Sequence, residues 1–188
     1  PNSSGVVALE ILNVLRALEP PGRAAFVPGD GGATAGADLR WVHAGIEAAK
    51  RALADRDAHL SDPAFVDVPV ERLLDPAYGE RLAREIDPAR AAVPPASRAP
   101  MGGGTIWLGV VDGAGNAVSL VESNYAGFGS GVVDPATGIA YQNRGSYCSL
   151  DPSHPNVLAP RKRTLHTLLP GMLFRDGRPW VVHGSMGG

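Results

Sequence analysis

Apolar residues recur at roughly every third or fourth position near the start of the chain, at Val7, Leu9, Ile11, Leu12, Leu15 and Leu18, a period that predicts a helix. Ser3 or Ser4 can cap its start, and "EPPGR" stops it, because proline lacks an amide hydrogen and collides with the preceding turn. The same period returns from about Ala37 to His59, where Leu39, Val42, Ile46, Ala49 and Leu53 share one face and the charged "KR" and "DRD" groups take the other. "PAYGERLAREI" predicts a third, shorter helix. All three stripes are expected to pack into a core.

From Asp87 to Gly104 the composition shifts to "DPARAAVPPASRAPMGGG", which has no period and reads as an exposed linker. Beyond it the period falls to two. "TIWLGVVD" and "NAVSLVES" flank "GAG" as one hairpin, and "GMLFRDGRPWVVHG" folds across "DG" as another. Residues 105–122 and 172–183 are expected as strands of one sandwich, with 4–19 and 37–59 helical. Helices, linker, then strands predict an α+β layering and not alternating βαβ units.

Charge and composition narrow the chemistry. The 188 residues are 44% hydrophobic and 19% charged with a net charge of −2, which argues against nucleic acid or an anionic membrane as partner. The single cysteine, Cys148, excludes an internal disulfide, and the histidines at 43, 59, 154, 166 and 183 show no metal-ligand spacing. Neither a metal nor a cofactor is expected. "PNSSGVVALEILNVLRALE" lacks the basic start and continuous apolar stretch of a leader, and the end at "VVHGSMGG" is abrupt; the expectation is a central fragment of a longer protein.

Candidate motifs thin out on inspection. "GFGSG" at 127–131 is followed by no Gly-Lys-Ser/Thr, and neither Ser130 nor Ser185 lies in a Gly-x-Ser-x-Gly frame. Thr105 is different. It follows three glycines and opens a strand-like segment, so a cut just before it would put a free α-amine, with a pKa of about 7.7–8.0, beside its own hydroxyl. The glycines leave room for that hydroxyl to reach the Gly104 carbonyl and drive an N-to-O acyl shift. A glycine-flanked threonine that merely starts a strand is the alternative.

Taken in order, "PNSSGVVALEILNVL", "TIWLGVVDGAGNAVSL", "GFGSGVV", "GIAYQNRG", "PNVLAPRKR" and "GSMGG" resemble the γ-glutamyltransferase family of N-terminal-nucleophile hydrolases across nearly the whole chain. The resemblance implies a precursor that cuts itself into large and small subunits, here the C-terminal part of the large one at 1–104 and the N-terminal part of the small catalytic one at 105–188, and part of a four-layer αββα sandwich. It implies Thr105 as nucleophile, cleavage between Gly104 and Thr105, Ser123 as the supporting hydroxyl, and Gly187 and Gly188 as oxyanion donors. A homo-oligomer stays open.

Where the family's transferases hold the ammonium and carboxylate of glutamate, the matching positions read Tyr125, Arg144, Tyr147, His166 and Thr167. The ammonium acceptors have gone and an arginine, whose planar fork suits a carboxylate, has arrived. Ile106 and Trp107 depart from the transferase pattern as well. The segments "QNRGSYCSLDPSHPNVLAP" and "KRTLHTLLPG" look like the acylase and oxamate-amidohydrolase branch, which implies hydrolysis of a small amide whose acyl half bears a carboxylate. True γ-glutamyl transfer and a non-catalytic, uncleaved chain are the alternatives. Arg144 has two readings, a carboxylate clamp or a brace to its own loop through Asp151. Family transferases are commonly exported while this branch often lacks export signals, so the expected compartment leans to the cytoplasm.

Overall fold

A computed structural model describes residues 2–18, 39–93 and 104–185. The described residues fall into two compact units, one comprising 6–18, 39–59 and 68–93, the other 2–5, 60–67 and 104–185.

The first unit is helical. It contains α1 (Gly5–Ala17), α2 (Leu39–His59), α3 (Val70–Leu73) and α4 (Pro76–Arg84), of which α3 has no counterpart in the expected elements. Asp75 caps α4 by accepting from the Ala77 N–H at 2.8 Å, and Pro76 sits in the first turn, where its missing amide hydrogen costs nothing. Val14, Ala48, Leu82 and Ala83 form the core. At Gly79 the helices meet closely: a Cβ there would lie 2.9 Å from the Asn13 Cβ. Residues 19, 37 and 38 and the "EPPGR" stop lie outside the described residues.

The expected faces of the two long helices need correction. In α2 the buried positions are Ala44, Glu47, Ala48 and Ala52, whereas Leu39 is 81% exposed and Ile46 53%, with Val42 and Leu53 exposed beside them. In α1 the buried residues are Val6, Val7, Glu10 and Val14, and Leu9 and Leu12 face outward. A stripe of alanines lets helices approach closely enough to exclude water, and Glu47 is tolerated within it because Lys50 and Arg51 reach its carboxylate at 2.6 and 3.1 Å. Hydrophobic period alone does not rank two competing faces.

One polar cluster is set into this unit. The Tyr78 hydroxyl donates to Asp55 at 2.7 Å, and Glu10, 1% exposed, lies against that pair with Oε1 buried and unpartnered among the described residues. Burial first, then the hydrogen bond and negative charge of Asp55, push the Glu10 carboxyl up to about 8.

The second unit carries the strands. β1 (Thr105–Val111) pairs antiparallel with β2 (Ala117–Ser123) from Thr105↔Ser123 to Val111↔Ala117. Asp112 shapes the turn between them, accepting from the Ala114 and Asn116 N–H groups at 2.9 Å each. β3 (Gly171–Arg175) pairs with β4 (Arg178–His183) across Asp176 and Gly177, whose φ values of 52° and 74° are those of a type I′ hairpin. Both hairpins thus form as the alternation predicts. They remain two separate two-stranded ladders among the described residues. The Trp107 indole N–H donates to the Ser119 hydroxyl, which donates to the His183 carbonyl, 3.0 Å each, tying the first hairpin to the second. Of the expected linker, 87–93 is irregular and exposed, while 94–103 lies outside the described residues.

Candidate active site

The turn at Asp112 sets the register, and the register places the first residue of β1 opposite the last residue of β2. The Thr105 hydroxyl donates to the Ser123 Oγ at 2.9 Å, and the Tyr125 N–H donates to the same oxygen at 2.9 Å. With two donors converging on it, Ser123 Oγ is fixed in place and fixes the rotamer of the threonine in turn. Gly104, on the other side of the candidate bond, is exposed.

Beyond Ser123 the backbone bends sharply. Tyr125 has φ 77°, a left-handed conformation that a bulky side chain adopts at a cost of about 1–3 kcal/mol. Asn143 holds the bend: its Oδ1 accepts from the Ala126 N–H at 3.0 Å, and its Nδ2 donates to the Ala126 and Gly129 carbonyls at 3.2 and 2.9 Å. Gly129 is required there, since its φ is 70° and a Cβ would lie 2.4 Å from the Tyr141 carbonyl oxygen. "GFGSG" is therefore a turn folded against 141–143, with Ser130 spending its hydroxyl on Tyr141 O at 2.9 Å.

This bend carries the Tyr125 ring over Arg144, whose guanidinium carbon is 5.4 Å from the ring centre, and within 5.1 Å of the Tyr147 ring. Arg144 and Tyr147 are the two ends of a short 3₁₀ turn. The arginine is only 6% exposed, its Nε is buried without a hydrogen-bond partner, and no carboxylate pairs with it among the described residues. Burial holds it below the ordinary guanidinium value, yet it stays cationic at neutral pH. The bracing contact to Asp151 is not made: that carboxylate accepts from the Ser153 N–H and hydroxyl at 2.9 and 2.7 Å.

His166 joins through another buried amide. Asn156 Nδ2 donates to the Tyr147 carbonyl at 2.7 Å, and its Oδ1 accepts from the Leu165 N–H at 3.1 Å, which pins the 3₁₀ turn to the residues before His166. Residues 2–4 complete the frame: His166 N–H donates to Asn2 O at 2.9 Å, and Ser4 N–H to His166 O at 3.2 Å. The His166 Nδ1 is buried and unpartnered among the described residues. Burial first, then the nearby charge of Arg144, lower its affinity for a proton. Thr167 follows it, half-buried.

Thr105, Ser123, Tyr125, Arg144, Tyr147 and His166 are thus linked through successive contacts in one unit. Gly187 and Gly188 lie outside the described residues. Asn143 and Asn156 were not singled out by sequence reasoning; an asparagine next to "RG" or after "HP" reads as a turn residue, and only its buried position distinguishes a wedge from a turn.

The gamma-glutamyltranspeptidase family model matches residues 1–188. The chain is 45% identical over 188 residues to the glutathione hydrolase-like YwrD proenzyme of Bacillus subtilis (strain 168), covering 100% of the chain and 33% of that protein. It is 45% identical over 194 aligned residues to the oxamate amidohydrolase proenzyme of Klebsiella pneumoniae subsp. pneumoniae, with the same coverage. A crystal structure of cephalosporin acylase from Bacillus halodurans superposes with a TM-score of 0.81 at 40% identity, over 100% of this chain and 32% of that one. The chain spans about a third of the length of the curated relatives it matches.

Proposed function

Since the chain belongs to the gamma-glutamyltranspeptidase family, we propose that it carries the nucleophile of a self-processing amide hydrolase, with Thr105 as the attacking residue. One observation carries this reading above the others: the Thr105 hydroxyl sits at a strand start, held 2.9 Å from a Ser123 oxygen that is itself pinned by the Tyr125 N–H. In the precursor the hydroxyl adds to the Gly104 carbonyl, the C–N bond breaks, and water hydrolyses the resulting ester. This frees the Thr105 amine and divides the protein at 104/105 into large and small subunits. The free amine then takes the hydroxyl proton during attack on the substrate amide and returns one to the leaving amine. Gly187 and Gly188 serve as oxyanion donors, a contribution of about 3 kcal/mol per donor.

The rest of the protein supplies the further layers of the αββα sandwich, covering the apolar faces that the two hairpins expose. The substrate is a small amide whose acyl half carries a carboxylate, because Arg144 is a buried cation with no carboxylate paired to it among the described residues. Transfer of a γ-glutamyl group is disfavoured, since Tyr125, Arg144 and Tyr147 offer no carboxylate for an ammonium.

The test is processing of the full-length protein. Wild type yields a small subunit whose N-terminal residue is Thr105, and Thr105→Ala leaves an uncut, inactive precursor. A small subunit starting at any other residue, or an active uncut Thr105→Ala protein, overturns the proposal.

A further inference from the structure

The strand unit does not divide where the candidate cut falls. Residues 2–5 and 60–67 precede Gly104 yet belong to the same compact unit as 104–185, so cleavage between Gly104 and Thr105 leaves two short pieces of the large subunit built into the small one. Both pieces meet a single segment, 162–166. Asp62 is 2% exposed; its Oδ2 accepts from the Arg163 N–H at 2.9 Å and from Nε at 3.1 Å, and its Oδ1 accepts from Nη2 at 2.8 Å. Beside it the Lys162 Nζ lies 5.9 Å from the centre of the Phe65 ring. Further along, Asn2 Nδ2 donates to Thr164 O at 3.1 Å and the His166 N–H donates to Asn2 O at 2.9 Å. The Ser4 N–H and hydroxyl both donate to His166 O, at 3.2 and 3.3 Å.

An ion pair to an exposed arginine is ordinarily worth little, because water screens it and ordering a long side chain costs entropy. This one differs in that the anion is buried and grips the backbone N–H of residue 163 together with the guanidinium fork, so it fixes main chain and not merely a side chain. The parallel bridge between Ser3 and His166 fixes the other end of the segment. Its middle is held from within the small subunit: Asn156 accepts from the Leu165 N–H at 3.1 Å and donates to Thr164 Oγ1 at 3.2 Å and to Tyr147 O at 2.7 Å. The ends of 163–166 are therefore set from one side of the cut, and the middle is tied to the turn that carries Arg144.

We propose that Asp62 is a positioning residue acting across the cut: through Arg163, and together with Asn2 and Ser4, it holds the small-subunit segment 163–166 in the conformation that substrate binding requires. This rests on the reading of Thr105 as the point of cleavage and of the cluster around His166 as the substrate site. Asp62 touches no reacting atom. Cleavage turns its hydrogen bonds, and those of Asn2 and Ser4, from contacts within one chain into contacts between two polypeptides. The Thr105 contact with Ser123 is made inside the first hairpin and does not pass through this seam. Loss of Asp62 therefore loosens 163–166 and weakens substrate binding, while self-cleavage and the chemical step stay intact.

Two variants of the full-length protein test this: Asp62→Asn, which keeps the shape and removes the charge, and Arg163→Lys, which keeps the charge and removes the fork. Hydrogen–deuterium exchange read by mass spectrometry should be about 10-fold faster or more over 163–167 in Asp62→Asn, and faster by a smaller factor in Arg163→Lys. Peptides from α4 and from the first hairpin keep wild-type rates. Both variants still release a small subunit that begins at Thr105. With glutaryl p-nitroanilide as the probe, a small amide whose acyl half carries a carboxylate, Asp62→Asn raises KM by about 10-fold and leaves kcat within about twofold. Unchanged exchange over 163–167 overturns the seam. Faster exchange with an unchanged KM, or a fall in kcat at constant KM, overturns the positioning role. If Asp62→Asn exchanges faster throughout the chain, Arg163→Lys decides by the same two criteria. A wild-type protein that stays uncut or is cut elsewhere counts against Thr105 alone, because exchange over 163–167 is read in the same way in an uncut chain; a wild type that is cut at Thr105 but leaves the probe intact counts against the substrate class, and exchange then decides the seam.

Discussion

Replacing Glu10 by glutamine should remove a pH dependence of stability that the helical unit builds in. Glu10 is 1% exposed and lies against Asp55, whose carboxylate already accepts from Tyr78 at 2.7 Å. Its carboxyl is raised from 4.5 to about 8 in the folded chain, so at pH 6 the native state holds a proton that the unfolded state has released. A group raised in this way contributes stability that is complete below the unfolded value and is lost as pH climbs through the folded one. The slope is about 1.36 kcal/mol per pH unit for one proton, which amounts to about 2–3 kcal/mol between pH 5.5 and 7.5. Glutamine has the same shape, donates an N–H where the protonated carboxyl donates its O–H, and never ionises. Urea denaturation followed by circular dichroism at 222 nm, at half-unit pH steps, gives the two stability curves. Histidines and other shared groups move both curves equally and cancel in the difference. Glu10→Gln should match wild type below about pH 4.5 and exceed it progressively from there towards pH 7.5; parallel curves between pH 5.5 and 7.5 would refute the shared-proton reasoning.

Three further outcomes are expected. Asn143→Ala deletes three hydrogen bonds to Ala126 and Gly129, so it should cost about 3 kcal/mol and open 125–131 to limited proteolysis; unchanged stability and cleavage rates would contradict the role given to this wedge. Gly184→Ala should destabilise the strand unit by about 1–3 kcal/mol and alter tryptophan emission, because a Cβ there would lie 1.9 Å from Trp107 Cδ1. Gly113→Ala, with nothing within 4 Å of the new Cβ, is the matched control and should leave melting unchanged. Asp62 accepts from the Arg163 guanidinium and N–H and from the Ala64 N–H, and these bonds, Arg163 first, hold its carboxyl below the usual 3.8. Its contribution is present above that value and disappears as pH falls further, so Asp62→Asn should flatten the acid limb of the stability curve; acid limbs of equal steepness would count against the pair.

What the sequence determined by itself is what lies within a few residues along the chain. The two hairpins follow from alternation plus turns that Asp112, Asp176 and Gly177 can make locally, and the register that sets Thr105 opposite Ser123 follows from that turn. The start of α4 follows from Asp75 and Pro76 for the same reason. Tertiary structure alone decided which face of α2 is buried, because an alanine stripe and a leucine-isoleucine stripe both satisfy the helical period and the choice depends on how closely a partner helix can approach. It alone decided that Arg144 lies under Tyr125 while Asp151 turns to Ser153, since that outcome requires a left-handed backbone at Tyr125 and the Asn143 wedge from much further along the chain. Local hydrogen bonds are encoded by neighbours in sequence, whereas burial and the pairing of distant polar groups are settled by competition among surfaces that meet only after the chain has folded.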